Sequence, residues 1–217
     1  MASDRLIQVV NLAYERLRQK INGQRIRVDN EASLQLHLAS ILKAIGELYE
    51  TGRNEHFFIE LEKPFKLQGQ VFGKSGTERA KIDIFCSFVD ATSNATETCA
   101  IELKYFKKAN HREPNNRYDV FADIANLERY GMVAECCFLI VATDHDHYVS
   151  QAAYSADTSD FDFRHGTTYT VGTSATYRTS MPYAPPIALR RSYSFIWDTV
   201  AGGIHFLKLA VEPTQGP

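Results

Sequence analysis

The sequence predicts an α/β domain: a mixed central sheet flanked by helices and closed by a C-terminal β-hairpin. Three observations predict it. Two helical stripes are followed by three strand-like runs and a further helix. Residues 136–142 then form a short unbroken apolar run, the pattern of a strand buried on both faces. Near the end, Ala201-Gly202-Gly203 separates two more strand-like runs. A length of 217 residues suits a single domain, and 44% hydrophobic with 23% charged residues is ordinary for a globular chain.

Taken in order, residues 3–21 carry apolar side chains at Leu6, Val9, Val10, Ala13, Leu17 and Ile21, a helical stripe that Asn22-Gly23-Gln24 ends. A second helix is expected over residues 31–49, with Leu34, Leu38, Ile41, Leu42, Ile45 and Leu48 on its apolar face and Asp29 or Asn30 as its cap. Strands are expected at residues 57–62, 80–89 and 98–106, the last two joined as a hairpin through the polar stretch 90–97. Residues 118–130 read as a helix that buries Val120, Phe121, Ile124 and Leu127, and residues 147–154 as a shorter one. Residues 155–188, rich in Ser, Thr, Asp, Tyr and Pro, show no period and read as an irregular insertion of the kind that carries function or mobility. Strands at residues 192–200 and 204–211 close the chain.

The net charge of −2 gives no global basic field, so a nucleic-acid enzyme of this composition needs a local basic patch, a homodimer or a partner protein to supply affinity. No apolar run approaches the ~20 residues of a membrane span. The N-terminal stretch is amphipathic rather than signal-like, so a cytoplasmic location is expected. Cys86, Cys99, Cys136 and Cys137 lie in apolar stretches without zinc-site spacing and read as buried reduced thiols. The Asn94-Ala95-Thr96 sequon is discounted for want of an export signal.

The chemistry concentrates on the central hairpin. Strand side chains alternate, so Ile82, Ile84 and Cys86 are expected on one face and Asp83 on the other. In the next strand Ile101, Leu103 and Tyr105 share a face, and Glu102 and Lys104 share the opposite one. Adjacent strands can therefore bring Asp83, Glu102 and Lys104 together. Charges in strands this apolar need partners or a metal. Two carboxylates suit a hard cation, Mg2+ or Mn2+, and a lysine beside them can orient or deprotonate a water or stabilise charge on a phosphate.

Asp83, an intervening loop and Glu102-Leu103-Lys104 resemble the signature of the PD-(D/E)xK nuclease superfamily, and the order of elements over residues 31–142 resembles its core. The proline that this family often carries before the aspartate is Ile82 here. The resemblance implies a restriction-endonuclease-like fold and a magnesium-dependent nuclease acting on DNA, in restriction, phage defence, a mobile element or repair. Asp83 and Glu102 would hold the metal with the Leu103 carbonyl as a third ligand, and Lys104 would position water or transition-state charge. Glu31 would complete the shell or a second site, or else simply complement the helix dipole. The alternative is a catalytically inactive member acting as a nucleic-acid-binding or assembly module.

Lys107, Lys108, Arg112 and Arg117 follow the motif and are expected to contact phosphates. Lys63, Lys66, Lys74, Arg79 and Lys81 make a weaker second patch. Asp144-His145-Asp146-His147 is read as a helix-capping run rather than a metal site, because consecutive residues cannot all face one ion. Arg164-His165-Gly166, which echoes a phosphatase tripeptide, lies too late in the chain for that role, and Glu60 with Glu62 is read as strand surface rather than a glycosidase pair.

Overall fold

The computed structural model describes residues 4–66, 79–94 and 96–214. Lys74 and the Ala95 of the sequon lie outside the described residues. Helices α1 (Asp4–Asn22) and α2 (Glu31–Glu47) open the chain. Asn30 begins α2 through a capping box: its Oδ1 accepts the Ser33 amide at 2.8 Å, and Ser33 Oγ accepts the Asn30 amide at 3.1 Å. An antiparallel meander follows, β1 (Glu55–Lys66), β2 (Arg79–Asp90) and β3 (Thr96–Phe106). Helix α3 (Glu113–Leu127) then leads into β4 (Cys136–Thr143), which pairs parallel to β3.

After the single-turn α4 (His147–Ser150), β5 (Thr168–Tyr169) and β6 (Tyr193–Ser194) make a small separate sheet. Strands β7 (Trp197–Asp198) and β8 (His205–Val211) complete the main sheet, whose six strands run β1-β2-β3-β4-β8-β7. The C-terminal hairpin is thus shorter than its sequence pattern suggests. Residues 192–200 are shared between two sheets, because the Phe195 amide bonds to the Thr167 carbonyl at 2.9 Å instead of continuing along β8.

Strand alternation divides the core between the two faces of the sheet. Ile84, Cys86, Ile101, Leu103, Phe138 and Ile140 pack beneath α1 and α2. Phe85, Ala100, Leu139, Val141 and Leu207 pack beneath α3 and the 155–197 region. All four cysteines are buried and unpaired. Among the described residues no helix is long and apolar enough to cross a membrane.

The irregular region is firmly packed. Phe161, Phe163, Phe195 and Trp197 are buried against α3, and the Trp197 indole donates to the Phe163 carbonyl at 2.7 Å. Glu128, just past α3, fastens the far end. Its buried carboxylate accepts the Arg190 amide at 2.9 Å, the Arg191 amide at 3.1 Å and the Tyr193 hydroxyl at 2.8 Å. Glu128→Ala strands these three donors. Only the Tyr193 hydroxyl bond is fully buried, so at about 1–3 kcal/mol for a buried unmet group a loss of ~2–3 kcal/mol is expected in urea unfolding. A loss below ~1 kcal/mol would show that water replaces the carboxylate.

Candidate active site

The site forms where two strands part. The β2–β3 ladder ends at the pair Ile84–Ile101, so Asp83 and Glu102 are the first residues beyond it. From there β3 stays paired with β4 as far as Phe106, while β2 stays with β1. The backbone groups released at the fork must find other partners. The Leu103 amide donates to Asp83 Oδ2 at 2.7 Å, and the Tyr105 amide donates to the Glu31 carboxylate. The Asp83 carbonyl accepts Gln35 Nε2 from α2 at 2.7 Å.

The fork also breaks the strand alternation. Ile82 packs on the α3 face, whereas Ile84 and Cys86 pack beneath α1 and α2, so the expected common face of these three does not form. The register passes from Leu61–Ile84 to Lys63–Ile82, and between them Glu62 adopts a left-handed φ of 53°.

Glu102 and Lys104 project together toward α3, as their spacing requires. Glu102 is buried and its Oε1 accepts the Tyr130 hydroxyl at 2.9 Å. Lys104 Nζ lies 2.6 Å from Asp123 Oδ2, both side chains being only 12% and 7% exposed, and it also donates to the Leu103 carbonyl at 2.8 Å. Asp83 and Glu102 face each other at hydrogen-bonding distance. Burial raises both carboxyls above the usual range, Glu102 the more, and the charges of Asp83 and Asp123 push Glu102 further. Burial and like charge thus both disfavour the ionised form of Glu102 in this pair.

Burial opposes the charge of Lys104, but Asp123, Glu31, Asp83 and Glu102 together outweigh it and keep the ammonium protonated. Glu31, at the start of α2, is exposed at its outer side. Loss of water about its carboxyl raises that group, with Lys104 and the Tyr105 amide pulling the other way.

Asp83, Glu102, Lys104 and Glu31 are thus neighbours. Two other expected residues take different parts. The Leu103 carbonyl, expected as a metal ligand, is occupied by Lys104, and Leu103 contributes its amide. Arg117, expected to contact phosphate, is 2% exposed. Its guanidinium is spent on the Thr158 and Phe161 carbonyls and the Thr158 hydroxyl, and stacks 3.7 Å from the centre of the Tyr154 ring. It clamps the irregular region to α3, which removes it from any substrate-binding set.

Lys108 and Arg112 are exposed and Lys107 half-exposed. In the second patch Lys63 pairs with Glu60 and Lys81 with Glu62, so both positive charges there are offset. The acidic and histidine run at 144–147 disperses. Asp144 accepts the Lys108 amide, His145 meets Glu113 at 3.1 Å, Asp146 meets His205 at 3.0 Å, and His147 lies against the Tyr154 ring. Arg164 pairs with Asp162, and His165 accepts the Trp197 amide.

Asp123, Tyr130 and Gln35 were not singled out by the sequence. The available signal was Asp119 and Asp123, four apart in a helix otherwise buried almost all round. Carboxylates at such positions need a partner. Among the described residues no three acidic, histidine or cysteine side chains converge as a ready-made metal cage. No protein-family model, curated protein or solved structure matches the chain.

Proposed function

We propose that the chain is a metal-dependent nuclease of the PD-(D/E)xK type that hydrolyses phosphodiester bonds, with DNA as the favoured substrate. The observation that carries this reading is the Asp83–Glu102 pair. Two carboxyls meet where the strands part, with the Lys104 ammonium beside them. That donor set fits a small hard cation, since magnesium is commonly held by one or two carboxylates and otherwise by water. Asp83 and Glu102 would hold Mg2+ or Mn2+, with Glu31 the next carboxylate at hand. A bound ion of this kind lowers the pKa of its water and neutralises phosphate charge.

The protein's own groups supply the rest. Lys104 serves as a fixed cation, its ammonium held by the Asp123 carboxylate and the Leu103 carbonyl. It would donate to a phosphate oxygen or to the attacking water as the phosphorus–oxygen bond to the leaving group breaks. Asp123 holds the ammonium in place, and Tyr130 fixes the rotamer of Glu102. Lys107, Lys108 and Arg112 would meet the flanking phosphates.

The test is cleavage of a mixed pool of DNA substrates. Excess EDTA should abolish it, and Mg2+ or Mn2+ should restore it. Full cleavage in EDTA overturns the metal mechanism. Binding without cleavage in either metal assigns the chain to the inactive, nucleic-acid-binding alternative.

A further inference from the structure

A recess of about 570 Å3 opens between the α1–α2 connection and the β7–β8 turn. Its size falls within the ~300–1,000 Å3 usual for small-molecule sites. Ile26, Val28 and Val200 give it aliphatic walls, and Gln24, Arg27 and Asp29 give it a polar rim. Gln24 holds a left-handed φ of 55°, an uncommon conformation for a residue with a side chain.

The recess is stitched to the candidate active site by two contacts. The Tyr105 hydroxyl donates to the Val28 carbonyl at 3.0 Å, and Lys107 Nζ donates to the Asp29 carbonyl at 3.3 Å. Tyr105 is also the residue whose amide holds Glu31. The end of β3 just beyond Lys104 therefore touches the backbone of two residues that line the recess.

The charges at this rim are mostly positive. Arg25 and Arg27 are exposed, and among the described residues neither side chain has an ion-pair partner. Lys107 adds a third cation, and the carboxylates of Asp29 and of Asp144, which acts on the Tyr105 hydroxyl, stand against them. These cations suit phosphates, but a phosphate backbone alone does not fill an aliphatic hollow. A stacked duplex presents phosphates and groove edges, whereas an unstacked base can enter a pocket and lay its face on apolar walls.

We infer that this recess seats an unstacked nucleotide of a single-stranded nucleic acid, with Arg25, Arg27 and Lys107 on the adjoining phosphates and the next phosphate led to Asp83, Glu102 and Lys104. The inference rests on the nuclease reading for its substrate class. The Gln24 amide at the rim supplies a donor and an acceptor for a base edge.

The test uses a fluorescein-labelled DNA oligonucleotide, single-stranded or annealed to its complement, with binding read by anisotropy in calcium buffer. Wild type should bind the single strand more tightly than the duplex. Arg27→Ala should weaken single-strand binding about tenfold, within the range of a lost phosphate or base contact. Ala201→Trp, on an exposed turn at the rim, should fill the recess and weaken single-strand binding by a similar factor. Thermal unfolding should show Ala201→Trp folded as wild type, and its duplex binding should not change.

Wild-type single-strand affinity in both variants overturns the inference, as does a wild type that binds duplex more tightly. Metal-dependent cleavage with both variants unaffected sinks the recess and leaves the nuclease reading standing. Single-strand binding that both variants weaken, without cleavage in any metal, keeps the recess and sinks the nuclease.

Discussion

Lys104→Met should lower kcat about 10²–10³-fold while leaving KM nearly unchanged, the scale for removing one donor aimed at transition-state charge. The variant also strands Asp123, a buried carboxylate whose partner lies 2.6 Å away. Breaking a buried ion pair from one side costs about 3–5 kcal/mol. Lost activity could then reflect a damaged fold, and a double variant separates the two effects. Lys104→Met with Asp123→Asn removes both charges at nearly constant volume, so stability should return toward wild type while turnover does not. Denaturant unfolding and steady-state cleavage on the same preparations give both readouts. Wild-type turnover in a folded double variant would remove Lys104 from the mechanism.

The second large effect is expected at Asp83. Asp83→Asn should abolish the response of the fold to magnesium without destabilising the metal-free protein. An asparagine keeps an oxygen for the Leu103 amide, which Asp83 Oδ2 accepts at 2.7 Å. Its NH2 can donate to Glu102, which Asp83 faces at hydrogen-bonding distance. The amide is a poor substitute for a carboxylate as a magnesium ligand. Wild type at a magnesium concentration a hundredfold above Kd should gain about 2.7 kcal/mol, and the variant should gain nothing measurable.

The pH dependence follows from the same pair. The folded carboxyls of Asp83 and Glu102 lie above their ordinary values, so the folded state binds more protons than the unfolded chain between the two ranges. Their contribution is full below the ordinary carboxylate range and is lost as pH rises through the raised values. In EDTA, wild-type stability should therefore decline with pH above the ordinary carboxylate range more steeply than that of Asp83→Asn. Paired thermal melts across that range read the difference. A variant much less stable than wild type in EDTA, with neither protein responding to magnesium, would make the carboxylates structural and end the nuclease assignment.

The sequence by itself determined the order of elements and the identity of the central residues. Hydrophobic period is a local property, so α1, α2, β2, β3 and β4 could be read within a few residues of their observed bounds. Alternation likewise placed Glu102 and Lys104 on one face of β3, and Asp83 on the neighbouring strand. What it could not supply was the fork. Whether a ladder continues past Ile84–Ile101 depends on which backbone groups find other partners, and those come from Gln35 and Glu31 on a helix far away in sequence.

The tertiary structure alone decided the partners of charge. Arg117 looked like one more cation in a basic stretch, until the fold wrapped residues 154–161 around it. Asp123 was not singled out by the sequence, and it was that same wrapping that buried α3 almost all round and left Lys104 as its counter-ion. Patterning reports which face of an element avoids water. It does not report which distant segment covers the other face, and burial from both sides is what turns an ordinary charge into a committed one.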